Sequence, residues 1–522
     1  MAQALSLGLL LAFLAIQSCI AIELTDHIDL WPMPTSVSHG TQRLYVSKDI
    51  TMSMEGSTYP DGKGILKDAF QRVVDLMKLN HVVDGANPSS FVLTGVNVVV
   101  HSPEDELKFG VDESYNLSVP TAGYPLRVQI EVINSSSLQT FSQLCYFDFT
   151  SKLIELISAP WRISDTPRFP YRGLLIDTSR HYLPVTVIKK VIDTMAYSKL
   201  NVLHWHIVDA QSFPIEIPSY PKLWNGSYSF SERYTTSDAV DIVRYAENRG
   251  VNVMAEIDVP GHALSWGVGY PSLWPSDSCK EPLDVSNNFT FGVIDGILSD
   301  FSKVFKFKFV HLGGDEVNTS CWTATPHIKK WLDDNQMNVS DAYRYFVLRS
   351  QKLAISHGYD VINWEETFNN FGDKLDRRTV VHNWLGEDVA PKVVAAGLRC
   401  IVSNQDKWYL DHLDATWEGF YTNEPLKGID DPEQQSLVIG GEVCMWGEQI
   451  DASDIEQTIW PRAAAAAERL WTPIEKIAED PRLVTSRLAR FRCLLNQRGV
   501  AAAPVAGYGR TAPYEPGPCV RQ

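Results

Sequence analysis

The chain has 522 residues, 44% of them hydrophobic and 21% charged, which suits a globular protein with a sizeable core and two or three structural units. Its formal net charge is −17 and its pI about 5.2, with no basic patch. That balance argues against nucleic acid and against an anionic membrane surface as partners.

The N-terminus reads MAQALSLGLLLAFLAIQSCIAIELT. Its apolar run, Ala4 to Ile16, is shorter than the roughly 20 residues a membrane helix needs. Cys19-Ile20-Ala21 offers a small-x-small cleavage site, so residues 1–21 read as a secretory signal peptide, although no Lys or Arg precedes the run. An uncleaved anchor is the alternative. No later segment is long and apolar enough to span, so no stable membrane span is expected after cleavage. The expected route is the secretory pathway, ending outside the cell, at its surface, or in a vacuole or lysosome. Six N-x-S/T sequons fit that route as glycosylation acceptors: Asn116, Asn134, Asn225, Asn288, Asn318 and Asn338.

The sequence has 8 cysteines, so setting aside Cys19 leaves an odd number and at least one thiol free or bonded to another chain. Cys493 and Cys519 flank a Gly/Pro-rich tail and read as a terminal staple. Cys279 and Cys321 both lie in loops and are candidates to pair. Cys145, Cys400 and Cys444 sit in or beside apolar runs and read as buried thiols.

Residues 22–165 form a first unit. Strand-like runs (FVLTGVNVVV, YNLSV, LRVQIEVI) accompany an amphipathic helix, ILKDAFQRVVDLMKL, and a second helix at LQTFSQLC. This grouping suggests a smaller α+β domain, with no clustered chemistry. After TPRFP the pattern changes. Short strands alternate with helices: GLLID (173–177), NVLHWHIV (201–208), VNVMAEID (251–258), FVHL (309–312), VINW (361–364), TVVHNW (379–384), CIVSN (400–404) and SLVIGGE (436–442). This order predicts a (β/α)8 barrel over residues 166–522, an α/β fold, with one helix reduced in the short fifth-to-sixth connection. EQTIWPRAAAAAERLW and PRLVTSRLARFRCLLNQRG read as two closing helices. A doubly wound sheet is the rival, but no Gly-rich phosphate loop supports it.

Function in a barrel lies where the strands end. Those ends carry Asp177 and Arg180; Asp209; Asp258 and His262; Asp315 and Glu316; Trp364, Glu365 and Glu366; Trp384; Trp408, Tyr409 and Asp411; Trp446 and Glu448. Alone, a buried Trp is usually core and a loop Asp usually a cap. Together at one face they are hard to explain as packing. Aromatic faces cover the apolar side of a pyranose, and carboxylates and Arg bind its hydroxyls. Cleaving a glycosidic bond needs one carboxylic acid still protonated near neutral pH. In FVHLGGDEVNTSCW, Asp315 and Glu316 are adjacent; a neighbouring charge and a dry pocket raise one pKa while the other group stays ionised. Gly313 and Gly314 allow a sharp turn before them.

The motifs RGLLIDTSRHYLP (172–184), NVLHWHIVDAQSFP (201–214), EIDVPGHALSWG (256–267), HLGGDE (311–316) and GGEVCMWGE (440–448), in this order, resemble a family-20 β-N-acetylhexosaminidase of the eukaryotic lysosomal, vacuolar and secreted kind. The likeness runs from about residue 28 to the C-terminus and includes TFSQL (140–144). It implies exo-acting, retaining removal of terminal N-acetylglucosamine or N-acetylgalactosamine. The substrate's own 2-acetamido oxygen would attack the anomeric carbon and form an oxazolinium ion. By resemblance, Glu316 is general acid and then base, and Asp315 orients the acetamido N–H. Tyr409 binds the acetamido oxygen, and Trp364, Trp384 and Trp446 wall the pocket. Arg180, Asp411 and Glu448 hold sugar hydroxyls, while Asp209 and His262 set the electrostatics around Glu316. The resemblance implies no cofactor and no metal. It implies N-glycans and chito-oligosaccharides as partners, and leaves a homodimer open. The pairs Cys279–Cys321 and Cys493–Cys519 match the family's spacing.

The chain departs from the animal enzymes in two places. Ala210 stands where they have a second acid. Only Cys145 is available for their first-domain disulfide. Separately, Asp411-His412 stands where subunits accepting charged substrates carry Asn followed by Arg, which implies a preference for neutral sugars.

Two other functions compete. His204 and His206 point to one side of a strand and, with Asp258, His262 and His311, could form the metal site of a barrel hydrolase. Insensitivity to a chelator would separate that reading. A catalytically silent sugar-binding protein would lack Asp315 or Glu316, and both are present.

Overall fold

The structure, a computed structural model, describes residues 28–79, 81–86, 90–104, 106–122, 125–132 and 137–505. The signal segment, Asn134 and Cys519 lie outside the described residues.

A sheet of six strands forms the first unit: β1 (Ser36–Ser53), β2 (Val92–Val100), β3 (Tyr115–Val119), β4 (Leu126–Val132), β5 (Cys145–Asp148) and β6 (Leu153–Asp165), in the order β1-β2-β4-β3-β6-β5. The long β1 serves two neighbours. Its first half runs antiparallel to β6 and its second half parallel to β2. Helix α1 (Ile65–Lys78) buries Leu66, Phe70, Val73, Val74 and Met77, a stripe at helical spacing, and α2 (Ser137–Leu144) adds Leu138 and Phe141 to the same core.

The second unit is a closed barrel of eight parallel strands: β7 (Tyr171–Asp177), β8 (Val202–Val208), β9 (Asn252–Ile257), β10 (Phe309–His311), β11 (Asp360–Trp364), β12 (Val380–Asn383), β13 (Arg399–Val402) and β14 (Val438–Met445). Each coincides with a run expected from the sequence. Their near-continuous apolar character follows from burial on both faces, and every residue of β7, β8 and β14 is buried. Helices α3 (Val185–Tyr197), α4 (Thr236–Glu247), α5 (Asn288–Val304) and α6 (Val339–Ser356) cover the outside. The fifth-to-sixth connection carries the short helix Glu366–Phe371 and a 3-10 turn, Gly372–Lys374.

The closing helices differ from the expectation. EQTIWPRAAAAAERLW is not one helix: Ile455–Ile459 ends before Trp460-Pro461, and α7 (Arg462–Trp471) begins after it. Pro461 has no N–H to continue the helix ladder. In the last segment only α8 (Thr485–Gln497) is α-helical, behind a 3-10 turn at Pro481–Val484.

The two units are joined by buried polar contacts. Asp165, at the end of β6, accepts from Lys199 Nζ at 2.8 Å, Tyr115 Oη at 2.8 Å and Trp471 Nε1 at 3.0 Å. Arg172 meets Glu113 at 2.6 Å. Cys279 and Cys321 are disulfide-bonded across 42 residues, tying the loop after β9 to the loop after β10. Cys493 is also in a disulfide, while Cys145, Cys400 and Cys444 are free and buried. Asn116, Asn225, Asn288, Asn318 and Asn338 are exposed. No helix among the described residues is long and apolar enough to cross a membrane.

Candidate active site

The C-terminal ends of the barrel strands converge on one pocket. After β7, Arg180 reaches Asp177 at 3.0 Å, Asp209 at 2.8 Å and Glu448 at 3.7 Å, with its guanidinium 5.1 Å from the Trp446 ring centre. Asp209 also faces His206 at 2.9 Å and His262 at 3.1 Å. Burial alone would raise Asp209, but these two imidazoles hold it well below the usual carboxylate range. The Ala210 N–H donates to Asp209 as well. Asp209 therefore keeps its place without a second acid beside it.

His262 turns its other nitrogen to the acidic pair, 3.7 Å from Asp315 and 3.5 Å from Glu316. Burial would lower its pKa, yet Asp258, Asp209, Glu316 and Asp315 around it push it far above the ordinary histidine range. The pair itself is split by geometry. The Asp315 side chain is 13% exposed and faces inward; that of Glu316 is 60% exposed and stands at the rim. His262 and Glu316 both hold positive φ, 52° and 48°, a costly conformation for non-glycine residues and a common one at functional sites. Gly313, at φ 59°, is indispensable: a Cβ there would lie 1.8 Å from Asp258 Oδ1. Tyr343 donates to the Gly314 carbonyl, and Asn363 Nδ2 to that of Gly313 at 2.9 Å.

The pKa expectation for the pair needs correction. Glu316 is lowered, first by its hydrogen bond from His262, because it is too exposed for burial to prevail. The raised carboxyls are elsewhere. Asp258 is pushed far up by burial and by Asp315. Glu366 is pushed up to about 7 by the same two causes.

Aromatic rings enclose the inner pocket. Trp384 stacks toward Tyr409 at 6.2 Å, and Trp446 lies 6.2 Å from Tyr409 and 5.9 Å from Trp364. Trp364 is almost fully buried and donates to Glu256 at 3.0 Å, so it forms the floor. Trp384 Nε1 donates to Glu366 at 3.0 Å. Asp411 is pushed up to about 6, by burial first and with Glu448 adding to it. Asp315 Oδ1, Asp411 Oδ1 and Trp446 Nε1 are buried and make no hydrogen bond among the described residues. All eleven expected site residues thus meet in one constellation, a carboxylate- and ring-lined pocket suited to a polar ring with an apolar face.

The description "Glycosyl hydrolase family 20, catalytic domain" matches residues 169–474, more than half of the chain. The chain belongs to that family. A second family description, "beta-acetyl hexosaminidase like", matches residues 30–144. The chain is 64% identical over 511 residues to beta-hexosaminidase 3 of Arabidopsis thaliana, with 96% of each covered. It is 35% identical to human beta-hexosaminidase subunit beta, covering 92% of this chain and 89% of that one. The crystal structure of Flavobacterium johnsoniae chitobiase superposes with a TM-score of 0.77 at 28% identity, covering 91% of this chain and 73% of that one.

In this family-20 glycoside hydrolase, buried carboxylates support the site: Glu365, expected at a strand end, and Glu256 and Glu442, which the sequence did not single out. Glu365 accepts from Asn383 Nδ2 and from the Trp384 and Leu385 N–H groups at 2.6, 2.8 and 3.1 Å, which fixes the loop carrying Trp384. Glu256 and Glu442 lie inside the barrel. Glu256 meets His204 at 3.0 Å, His206 at 2.5 Å and His311 at 2.8 Å; Glu442 meets His204 at 2.7 Å and Tyr171 Oη at 2.6 Å. These histidines, singled out as metal-ligand candidates, are engaged by buried carboxylates. Asp258, His262 and Asp315 present atoms within 4.8 Å of one another, as do His204, Glu256 and His311, and His204, His382 and Glu442.

Proposed function

We propose that this glycoside hydrolase is an exo-acting, retaining β-N-acetylhexosaminidase that uses its substrate's acetamido group as nucleophile. The supporting observation is the split acidic pair: Asp315 inside the ring-lined pocket, Glu316 at its rim, and His262 between them.

A terminal sugar seats its apolar face on Trp446 and Trp364, with Trp384 beside Tyr409. Arg180, Asp411 and Glu448 take its hydroxyls. Asp315 accepts the acetamido N–H, which turns the acetamido oxygen toward the anomeric carbon, and Tyr409 holds that oxygen in line. The oxygen forms its bond to the anomeric carbon as the glycosidic bond breaks. Glu316 gives its proton to the departing oxygen. Ionised Asp315 balances the positive charge of the oxazolinium. Glu316, now a carboxylate, takes a proton from water as that water opens the ring, and configuration is retained. Covering of Glu316 by the leaving sugar removes water and raises the pKa that His262 depresses in the open site.

The units 22–165 and 166–522, a cleaved signal peptide, glycans on the exposed sequons and a lysosomal, vacuolar or extracellular destination complete the reading. Chito-oligosaccharides and N-glycans are the proposed substrates, and a homodimer the proposed assembly. N-acetylglucosamine thiazoline, an oxazoline mimic, is the test. Competitive inhibition far tighter than substrate binding is expected. A covalent sugar trapped on Asp315 or Glu316 would overturn the mechanism.

A further inference from the structure

A cavity of about 310 Å³ lies between α1 and α2 of the first unit, α3 of the barrel and the end of α8. It is far from the strand ends that form the active site. Arg72, Gln139, Asp193, Arg249, Gln497 and Arg498 line it, together with Asp75. Arg249 is spent on Asp193 and stacks on Tyr245. Asp75 accepts from Gln71 at 3.0 Å. Two cations remain without an ion pair among the described residues. Arg72 donates to the Asn248 carbonyl at 2.7 Å. Arg498 donates through Nη2 to Ser142 Oγ at 2.8 Å, while its Nε and Nη1 are buried and partnerless. Oε1 of Gln139 and of Gln497 are buried and partnerless too.

We propose that this interdomain cavity binds a small oxyanion, a carboxylate or phosphate, held by Arg498 and Arg72. Arg72 and Arg498 line one space without an ion pair of their own, and the planar fork of a guanidinium matches an oxyanion. Ordered water would satisfy their hydrogen bonds but not their charge. Burial pushes the Arg498 guanidinium down to about 10, and burial and Arg249 lower Arg72 although Asp193 and Asp68 oppose them. The chain as a whole carries −17, so a basic cavity here is local, not a reflection of composition.

The test uses the full-length protein at fixed ionic strength and pH. Inorganic phosphate, citrate and, as control, sodium chloride are titrated while thermal stability and heat of binding are followed. A saturable rise in melting temperature with phosphate or citrate, absent with chloride, is expected, because a ligand bound only to the folded state stabilises it. Response to phosphate alone assigns an inorganic ligand; response to citrate alone assigns an organic acid; response to both assigns the shared chemistry. Arg498→Gln is expected to weaken binding at least tenfold while aryl-glycoside hydrolysis stays within twofold. Arg72→Gln provides the same comparison if Arg498→Gln fails to fold. No saturable shift beyond that of chloride, or an undiminished shift in the variant that folds, overturns the proposal.

Discussion

His262 Nε2 lies 3.5 Å from Glu316 Oε2 and is the largest influence on that acid. Its effect is to keep Glu316 ionised in the open site. Since Glu316 must carry a proton to act as an acid, kcat/KM should fall as pH rises through its depressed pKa. An opposite charge this close favours the ionised carboxyl, so Glu316 is lowered chiefly through its contact with His262. His262→Asn should therefore lower kcat and move the alkaline limb of kcat/KM to higher pH. An unmoved limb in the pH profile would show that His262 does not set the acid.

Glu316→Gln should abolish turnover of substrates with poor leaving groups while binding survives. A positioned acid is worth roughly 10²–10⁴-fold. Activated aryl glycosides, which need no proton, should lose much less. The comparison is kcat on the two substrate classes, and equal losses would argue against the acid role.

Asp411 should make the enzyme reject a sulfate on the sugar's 6-position. At an effective dielectric near 20, like charges ~4 Å apart repel by roughly 4 kcal/mol, and even a third of that is about tenfold in rate. Because Asp411 is raised to about 6, its charge is present above that pH and is lost as pH falls through it. Discrimination between neutral and 6-sulfated aryl substrates should be largest near pH 7, shrink toward pH 5 and diminish in Asp411→Asn. Discrimination independent of both pH and this substitution would mean Asp411 faces another part of the sugar.

Asp165→Ala should destabilise the protein without touching KM. The change leaves Lys199, lowered by burial and held up by Asp165, as a buried charge without its partner, between the units and at the barrel end opposite the pocket. Removing one member of such a pair costs about 3–5 kcal/mol. Urea unfolding of the variant, followed alongside KM, provides the check. A midpoint equal to the wild type would show that the Lys199 contact contributes little.

The barrel was legible because strands buried on both faces are apolar throughout, as in VNVMAEID, and because each ends in residues with evident chemistry. The strand β1 was not: SVSHGTQRLYVSKDITMS is polar and half exposed, and its strand state comes from partners supplied by β2 and β6. The site's membership could be read residue by residue, since acids and tryptophans recur at successive strand ends. Its electrostatics could not. That Glu316 is lowered and Glu366 raised depends on exposure and on which groups face them, and neither is written in the local sequence. The same holds for Glu256, which reads as one polar residue inside a strand until the barrel closes around it.

That glutamate has a consequence for how the chain can change over generations. Glu256 meets His204 and His206 from β8, His311 from β10 and Trp364 from β11, and they hold it far below its usual range. A single substitution anywhere in the set strands a charge or a donor in the dry interior. Viable routes must alter several of these positions together, so the cluster should be inherited as a block while the outer helices drift freely. A strand grafted from a relative would be tolerated only if it brought its whole share of that block.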